Sequence, residues 1–112
     1  MTTEEALRVI YEGMGWKIED WPRTIKPDGR KTFGLPKPQE DTTAGLAEFA
    51  RLLLWAWKEF ETIELNYSNG EALGYWADFP LPQPFAPISK SPQEAFVLAL
   101  GAALEARKGG GE

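Results

Sequence analysis

The chain has 112 residues and contains neither histidine nor cysteine, so the side chains behind most metal binding, thiol chemistry and acid–base catalysis near neutral pH are absent. Twelve Lys and Arg against seventeen Asp and Glu give a net charge of −5, which opposes binding to duplex DNA or to an anionic bilayer. We therefore expect a non-enzymatic binding protein that uses no metal and no cofactor.

Size and composition predict one soluble domain. The hydrophobic content of 43% is ordinary for a globular protein, and we expect a single domain over residues 1–107 with a flexible tail at 108–112. The N-terminus carries Glu4 and Glu5 where a signal peptide would be basic, and no apolar run reaches the roughly 18 residues of a membrane span. These features, with the lack of cysteine, predict a cytoplasmic protein.

The first residues have the pattern of a short helix. Thr2 followed by Glu5 is a capping-box start, and apolar residues recur at helical spacing up to Gly13. This predicts a helix over 3–13. Gly15 then turns the chain into an irregular segment.

The segment 19–41 is rich in prolines and turn residues. Pro27-Asp28-Gly29 is a turn that could join two short extended pieces, Arg23–Ile25 and Lys31–Gly34. A loop of this length in a small domain is either functional or held in place by its own aromatic side chains, here Trp21 and Phe33. The sequence leaves both readings open.

Residues 43–60 have the clearest amphipathic pattern, with an N-cap among Asp41, Thr42 and Thr43. One apolar stripe is predicted to face the core: Leu46, Phe49, Ala50, Leu53, Trp57 and Phe60. Leu52 and Leu54 flank that stripe, and Trp55 falls on the polar side of the helix. The helix is therefore apolar over much of its circumference.

Residues 61–79 predict a hairpin, because Glu61–Tyr67 alternates and Ser68-Asn69-Gly70 follows. Hydrophobic matching favours a three-residue turn over a two-residue Asn-Gly turn. In that register Leu65 shares a face with Tyr75 and Ala77, and Trp76 lies on the opposite face.

The C-terminal part begins with four prolines between residues 80 and 87, which predict an extended connection. Ser91-Pro92-Gln93-Glu94 then combines an N-cap, a proline at the first helical position and a glutamate at the third. A helix over 92–107 follows. The whole pattern predicts an α+β fold, a small α-β-α sandwich in which a short antiparallel sheet containing the 61–79 hairpin is packed by three helices.

Several short motifs in this order resemble the phage ABA sandwich domain family. They are Gly15-Trp16, Pro38-Gln39-Glu40-Asp41, Tyr75-Trp76 and Ser91-Pro92-Gln93-Glu94-Ala95. The resemblance covers about residues 10–105 and implies an α–β–α sandwich and a phage or prophage origin. It implies no catalytic residues.

The irregular segment also supplies candidate ligand-binding residues. Arg23, Arg30 and Lys31 lie in it beside Trp21, and cations next to an aromatic face suit a nucleotide or a short single strand. The alternative is that these charges only solubilise a loop. Glu64 and Asp78 could likewise share a sheet face as a hydrolase or metal site, although a solvated strand face is the favoured explanation.

Three apolar residues are candidate interface residues: Trp55, Leu52 and Trp76. A large exposed aromatic is typical of an interface, but packing within the chain would also account for Trp55 and Trp76.

Our first hypothesis is a homo-oligomeric phage accessory protein that sequesters a host nucleotide immune signal, with Arg23, Arg30 and Lys31 on phosphate and Trp21 on the base. The second is an acidic inhibitor that docks on a host protein through Glu59, Glu61 and Glu64. The third is a structural phage protein with neither site.

Overall fold

The computed structural model describes residues 2–60, 64–68, 74–78 and 91–110, and within them the chain forms three helices and five strands. The order is α1 (Thr3–Gly13), β1 (Lys17–Ile18), β2 (Arg23–Ile25), β3 (Lys31–Phe33), α2 (Thr43–Phe60), β4 (Glu64–Ser68), β5 (Gly74–Asp78) and α3 (Pro92–Gly110). The predicted α+β class is confirmed. α3 extends to Gly110, so residues 108–110 belong to the helix, whereas 111–112 of the predicted tail lie outside the described residues.

Each helix begins at the predicted cap. The Thr2 hydroxyl accepts a hydrogen bond from the Glu5 backbone N–H at 3.2 Å, the Thr42 hydroxyl accepts from Gly45 at 3.0 Å, and the Ser91 hydroxyl accepts from Glu94 at 3.3 Å. These bonds satisfy backbone donors that have no partner within the first turn of a helix.

The core lies where α1 and α3 pack against each other, and α3 also contacts α2 and β5. Ile10, Phe96 and Leu100 are almost fully buried there. Tyr11 packs edge to face with Trp16, with ring centroids 5.4 Å apart, and both side chains are buried.

The core-facing side of α2 differs from the prediction. Its buried residues are Gly45, Leu52, Ala56 and Phe60, whereas Leu46 and Trp57, which we expected in the core, are 47% and 58% exposed. The reason is the N-terminal turn of α2. A Cβ on Gly45 would overlap the carbonyl oxygen of Glu40 and lie 3.0 Å from that of Lys37, so this side of the helix must face the 37–40 turn.

Two small antiparallel sheets are present among the described strands, of order β1-β2-β3 and β4-β5. The first joins Arg23–Ile25 to Lys31–Phe33 through the predicted turn, where Gly29 adopts φ +91°, and adds β1, which we did not predict as a strand. In the second, Leu65 pairs with Ala77 and position 76 pairs with Asn66, so the two faces are as predicted. The predicted turn at 68–70 is wrong, because Ser68 still pairs with Gly74; the connecting residues 69–73 lie outside the described ones.

Candidate functional site

One face of the three-stranded sheet is basic and carries an exposed aromatic ring. Cross-strand register pairs Arg23 with Phe33 and pairs Ile25 with both Lys31 and Lys17. Side chains of directly paired residues lie on the same side of a sheet, so these five positions form one surface, the outer sheet face. None of the five is an acid, and the Phe33 side chain is 77% exposed.

The opposite face of this sheet is turned toward the protein. Thr24 is buried, pairs with Thr32, and donates its hydroxyl hydrogen to the carbonyl oxygen of Gly34 at 2.8 Å. This contact fixes β2 against the residue that follows β3. Because strand residues alternate in direction, burial of Thr24 holds Arg23 and Ile25 outward.

The structure brings two of the four predicted ligand residues together. Arg23 and Lys31 share the outer sheet face, on neighbouring strands. Arg30 lies in the turn, where its guanidinium is 3.3 Å from the Asp28 carboxylate and its backbone N–H donates to the same side chain at 3.0 Å. Arg30 is therefore already paired and stands apart from Arg23 in the sheet.

Trp21, which we expected to stack on a base, does not lie on the outer sheet face. The Arg8 guanidinium of α1 lies 4.4 Å from the centre of its ring, an interaction that occupies one face of the indole. Trp21 borders a depression of about 500 Å³ together with Leu7 and Lys37, on the side of α1. The aromatic ring that shares a face with Arg23 and Lys31 is Phe33 instead.

A cleft of about 860 Å³ lies between the 26–28 turn, β3 and α2. At its α2 wall the Glu48 carboxylate accepts hydrogen bonds from the Tyr11 hydroxyl at 2.5 Å and from Arg51 at 3.1 and 3.2 Å. Burial, and then the bond to Glu48, raises the pKa of Tyr11 far above its ordinary range. The hydrogen bond to Glu48 also raises the pKa of Arg51. Tyr11, Glu48 and Arg51 thus form one hydrogen-bonded network at this wall.

The three candidate interface residues do not form one surface. Leu52 is 0% exposed and belongs to the core of its own chain, which corrects its assignment to an interface. Trp55 is half-buried against the core and borders a depression with Glu59 and Arg107. For Trp76 only the backbone position in β5 is described.

The exposed apolar residues of α2 lie elsewhere on the helix. Leu46, Ala50, Leu54 and Trp57 follow one another at intervals of four, four and three residues, which places them on one side of a helix. All four are exposed, Leu54 at 61%. We call this surface the outer α2 stripe.

The acidic residues of the inhibitor hypothesis are dispersed. Glu59 is 3.6 Å from the Arg107 guanidinium of α3, Glu61 lies outside the described residues, and Glu64 pairs with Asp78 in the hairpin. The last pairing agrees with the expectation that Glu64 and Asp78 share a face. Among the described residues there is no group of three or more acids that could hold a metal ion.

We did not predict that Lys17 and Phe33 lie on the same face as Arg23 and Lys31. For Phe33, the 26–30 turn held the information needed, because it sets the pairing of β2 with β3. The backbone N–H of Lys26 donates to the Arg30 carbonyl at 2.8 Å, which closes the turn and sets the pairing of Ile25 with Lys31. Once that pairing is known, Arg23 must lie opposite Phe33. β1 could not be predicted from the sequence, because two residues are too few to show the alternation of a strand. It is recognisable as a strand only by its pairing with β2.

No helix within the described ranges is long and apolar enough to cross a membrane. No family model matches the chain, and a search of curated proteins found no match. A crystal structure of a phage protein from Bacillus cereus is similar in fold, with a TM-score of 0.61 and 14% sequence identity over 94% of this chain and 89% of that one.

Proposed function

We propose that this chain is a non-enzymatic binding protein whose outer sheet face holds a phosphate-bearing ligand with an aromatic base. The observation that carries the proposal is the sheet register, which sets Arg23 beside Phe33 and places Lys17 and Lys31 on the same face. The side chains needed for phosphate contact and for base stacking are thus adjacent, and no acid separates them.

The chemistry of this face suits a nucleotide or a short single strand. Guanidinium and ammonium groups form charge-assisted hydrogen bonds with phosphate, and a base can stack on an exposed ring whatever its identity. Lys17 and Lys31 lie on the two strands that flank β2, about 10 Å apart in the backbone. With a net charge of −5 on the chain, attraction is confined to this local surface, which favours a small ligand over duplex DNA.

The biological role that we propose is sequestration by a phage accessory protein in the host cytoplasm. The similar fold of a phage protein supports a phage origin. The ligand of such an anti-defence protein would be a nucleotide immune signal of the host, which the protein binds without converting it. Arg23 and Lys31 keep the phosphate contacts that we first assigned to them together with Arg30, and Phe33 replaces Trp21 as the stacking residue.

The ligand assignment is tested by removing two charges from the face and, in a control, two charges elsewhere. Arg23→Gln with Lys31→Gln should weaken binding of ADP and of hexathymidylate at least about tenfold, because two charge-assisted contacts are lost. The control, Arg30→Gln with Lys37→Gln, changes the net charge equally and should stay within about twofold of the wild type. Titration calorimetry measures both. Equal losses in the two variants would refute a localised site.

Homo-oligomer formation is a separate part of this proposal, and the outer α2 stripe suits a second copy of the chain. In an antiparallel pair centred on Ala50, Leu46 of one copy lies opposite Leu54 of the other, and the small Ala50 at the axis lets the helices approach. The same pairing sets Lys58 near Asp41 of the second copy. Neither residue has an ion pair within the described part of the chain, so opposite charges would meet at both ends.

Sedimentation velocity over a range of protein concentrations tests this assembly. The wild type should pass from monomer to dimer, and Leu54→Lys should remain monomeric because a charge would enter the apolar contact. Phe33→Lys places the same charge at another exposed apolar position and should still dimerise. A wild type that stays monomeric at every concentration, or a Leu54→Lys variant that still dimerises, would show that the outer α2 stripe is not a dimer interface.

A further inference from the structure

The cleft between the 26–28 turn, β3 and α2 is separate from the outer sheet face. Thr32 lines it from the inner side of β3, and of the five outer-face residues only Phe33 borders it. Its volume of about 860 Å³ lies within the range of pockets that hold small molecules. The cleft therefore has room for a ligand of its own.

Part of the cleft wall is apolar. Met14 and Trp16 contribute from the end of α1, and Leu35 and Pro36 contribute from the segment after β3. Met14, Leu35 and Pro36 are half-buried, so each presents part of its surface to the cleft, whereas Trp16 is buried behind them. A ligand body that contacts these residues would be hydrophobic.

Four charged residues also line the cleft, and three of them are already compensated. Glu48 and Arg51 form an ion pair, and the Tyr11 hydroxyl also donates to Glu48. Asp28 forms an ion pair with Arg30. Lys26 is half-buried and has no ion pair within the described residues. The cleft thus carries one uncompensated positive charge beside an apolar wall.

Arg51 adds donor capacity on the opposite wall. Its Nε and Nη2 atoms bind Glu48, which fixes the guanidinium plane, while no described residue accepts from Nη1. A guanidinium held in place by a carboxylate loses little further freedom when it binds a second anion. Lys26 and Arg51 both line the cleft and therefore offer two donors to an anion that binds there.

We propose that this cleft binds a small organic acid, with its carboxylate at Lys26 and Arg51 and its apolar body against Met14 and Leu35. This site does not depend on the proposed nucleotide site, because their charged residues are different. It would give the protein a second ligand of another chemical class.

The test uses 1-naphthaleneacetate and its neutral analogue 1-naphthaleneacetamide, which differ in charge and hardly in shape. Titration of the ¹⁵N-labelled full chain followed by NMR reports both affinity and location. The acid should shift the signals of Met14, Lys26, Thr32 and Leu35 and should bind at least about tenfold more tightly than the amide.

Lys26→Met removes the charge and keeps a side chain of similar shape. It should weaken binding of the acid at least about fivefold, because only the contact with Arg51 remains, and leave the affinity for the amide unchanged. Lys31→Met, on the outer sheet face, is the matched control and should bind the acid as the wild type does. This pair separates the two proposals, because Lys31→Met should weaken ADP binding whereas Lys26→Met should not.

Three results would overturn the inference. The acid and the amide could bind equally, Lys26→Met could bind the acid like the wild type, or the shifted signals could lie on the outer sheet face or the outer α2 stripe. A folded spectrum of Lys26→Met, compared with the wild type without ligand, confirms that any loss of binding arises from the missing charge.

Discussion

Phe96 and Phe33 are the same side chain in opposite environments. Phe96 is 1% exposed in the core, where it packs edge to face against Phe49 with ring centroids 5.5 Å apart. Phe33 is 77% exposed beside Arg23 on the outer sheet face. The first ring gains free energy from burial, whereas the second leaves its surface in water and gains nothing comparable on folding.

This contrast separates folding from binding. The helical core draws its stability from apolar burial, so changes there should lower stability and function together. The outer sheet face contributes charges and a ring that the fold does not need, so changes there should alter binding alone. Each substitution below tests one side of this division.

The largest effect is expected for Phe96→Ala. Removing a fully buried ring should lower the free energy of unfolding by about 3–5 kcal/mol, because the lost apolar burial is compounded by the cavity left behind. Phe33→Ala makes the identical chemical change on the surface and should stay within about 0.5 kcal/mol of the wild type. Urea denaturation followed by circular dichroism measures both. Similar losses for the two variants would show that the outer sheet face is part of the core.

Gly45→Ala should have a smaller but clear effect. The added Cβ would overlap the Glu40 carbonyl oxygen, so the 37–40 turn or the first turn of α2 must move. Overpacking of this kind costs about 1–3 kcal/mol. It acts against the roughly 1 kcal/mol that alanine gains over glycine within a helix.

The same denaturation experiment tests this change. Ala47→Gly, at an exposed position of α2 outside the outer α2 stripe, serves as the control for helix propensity. If Gly45→Ala were more stable than the wild type, the turn would not pack against α2 as described.

Tyr11→Phe should cost about 1 kcal/mol near neutral pH through loss of the hydrogen bond to Glu48. The pH dependence is more specific. Because the pKa of Tyr11 is raised from its ordinary value of 10.0, the folded chain keeps the phenol proton where the unfolded chain has lost it. Wild-type stability should therefore fall as pH rises above about 10, and Tyr11→Phe should fall less steeply. Parallel curves for the two proteins would contradict the burial of this hydroxyl.

The helices could be predicted from sequence because their signals are local. Thr2, Thr42 and Ser91 each sit beside the backbone group that they cap, so the starts of the helices follow from a few neighbouring residues. The side of α2 that meets the core could not be predicted in this way. Trp57 has the spacing of a core residue, but the contact of Gly45 with the 37–40 turn and that of Glu48 with Tyr11 set the rotation of the helix.

The candidate site shows the same division. Its charges were evident in the sequence, and Arg23 and Lys31 were assigned correctly to one segment. Their aromatic neighbour is Phe33 and not Trp21, which we had chosen, because the outcome depends on cross-strand register and on Arg8, which lies in α1. A ligand site that depends on strand register and on packing between elements is therefore hard to predict from local sequence patterns.

The most direct test of the outer sheet face is an NMR titration of the ¹⁵N-labelled protein with ADP. The account predicts that the shifted signals cluster at Lys17, Arg23, Lys31 and Phe33 and that Trp21 and Arg30 change little. Shifts centred on Trp21 or Arg30, or no shifts at millimolar ADP, would contradict it.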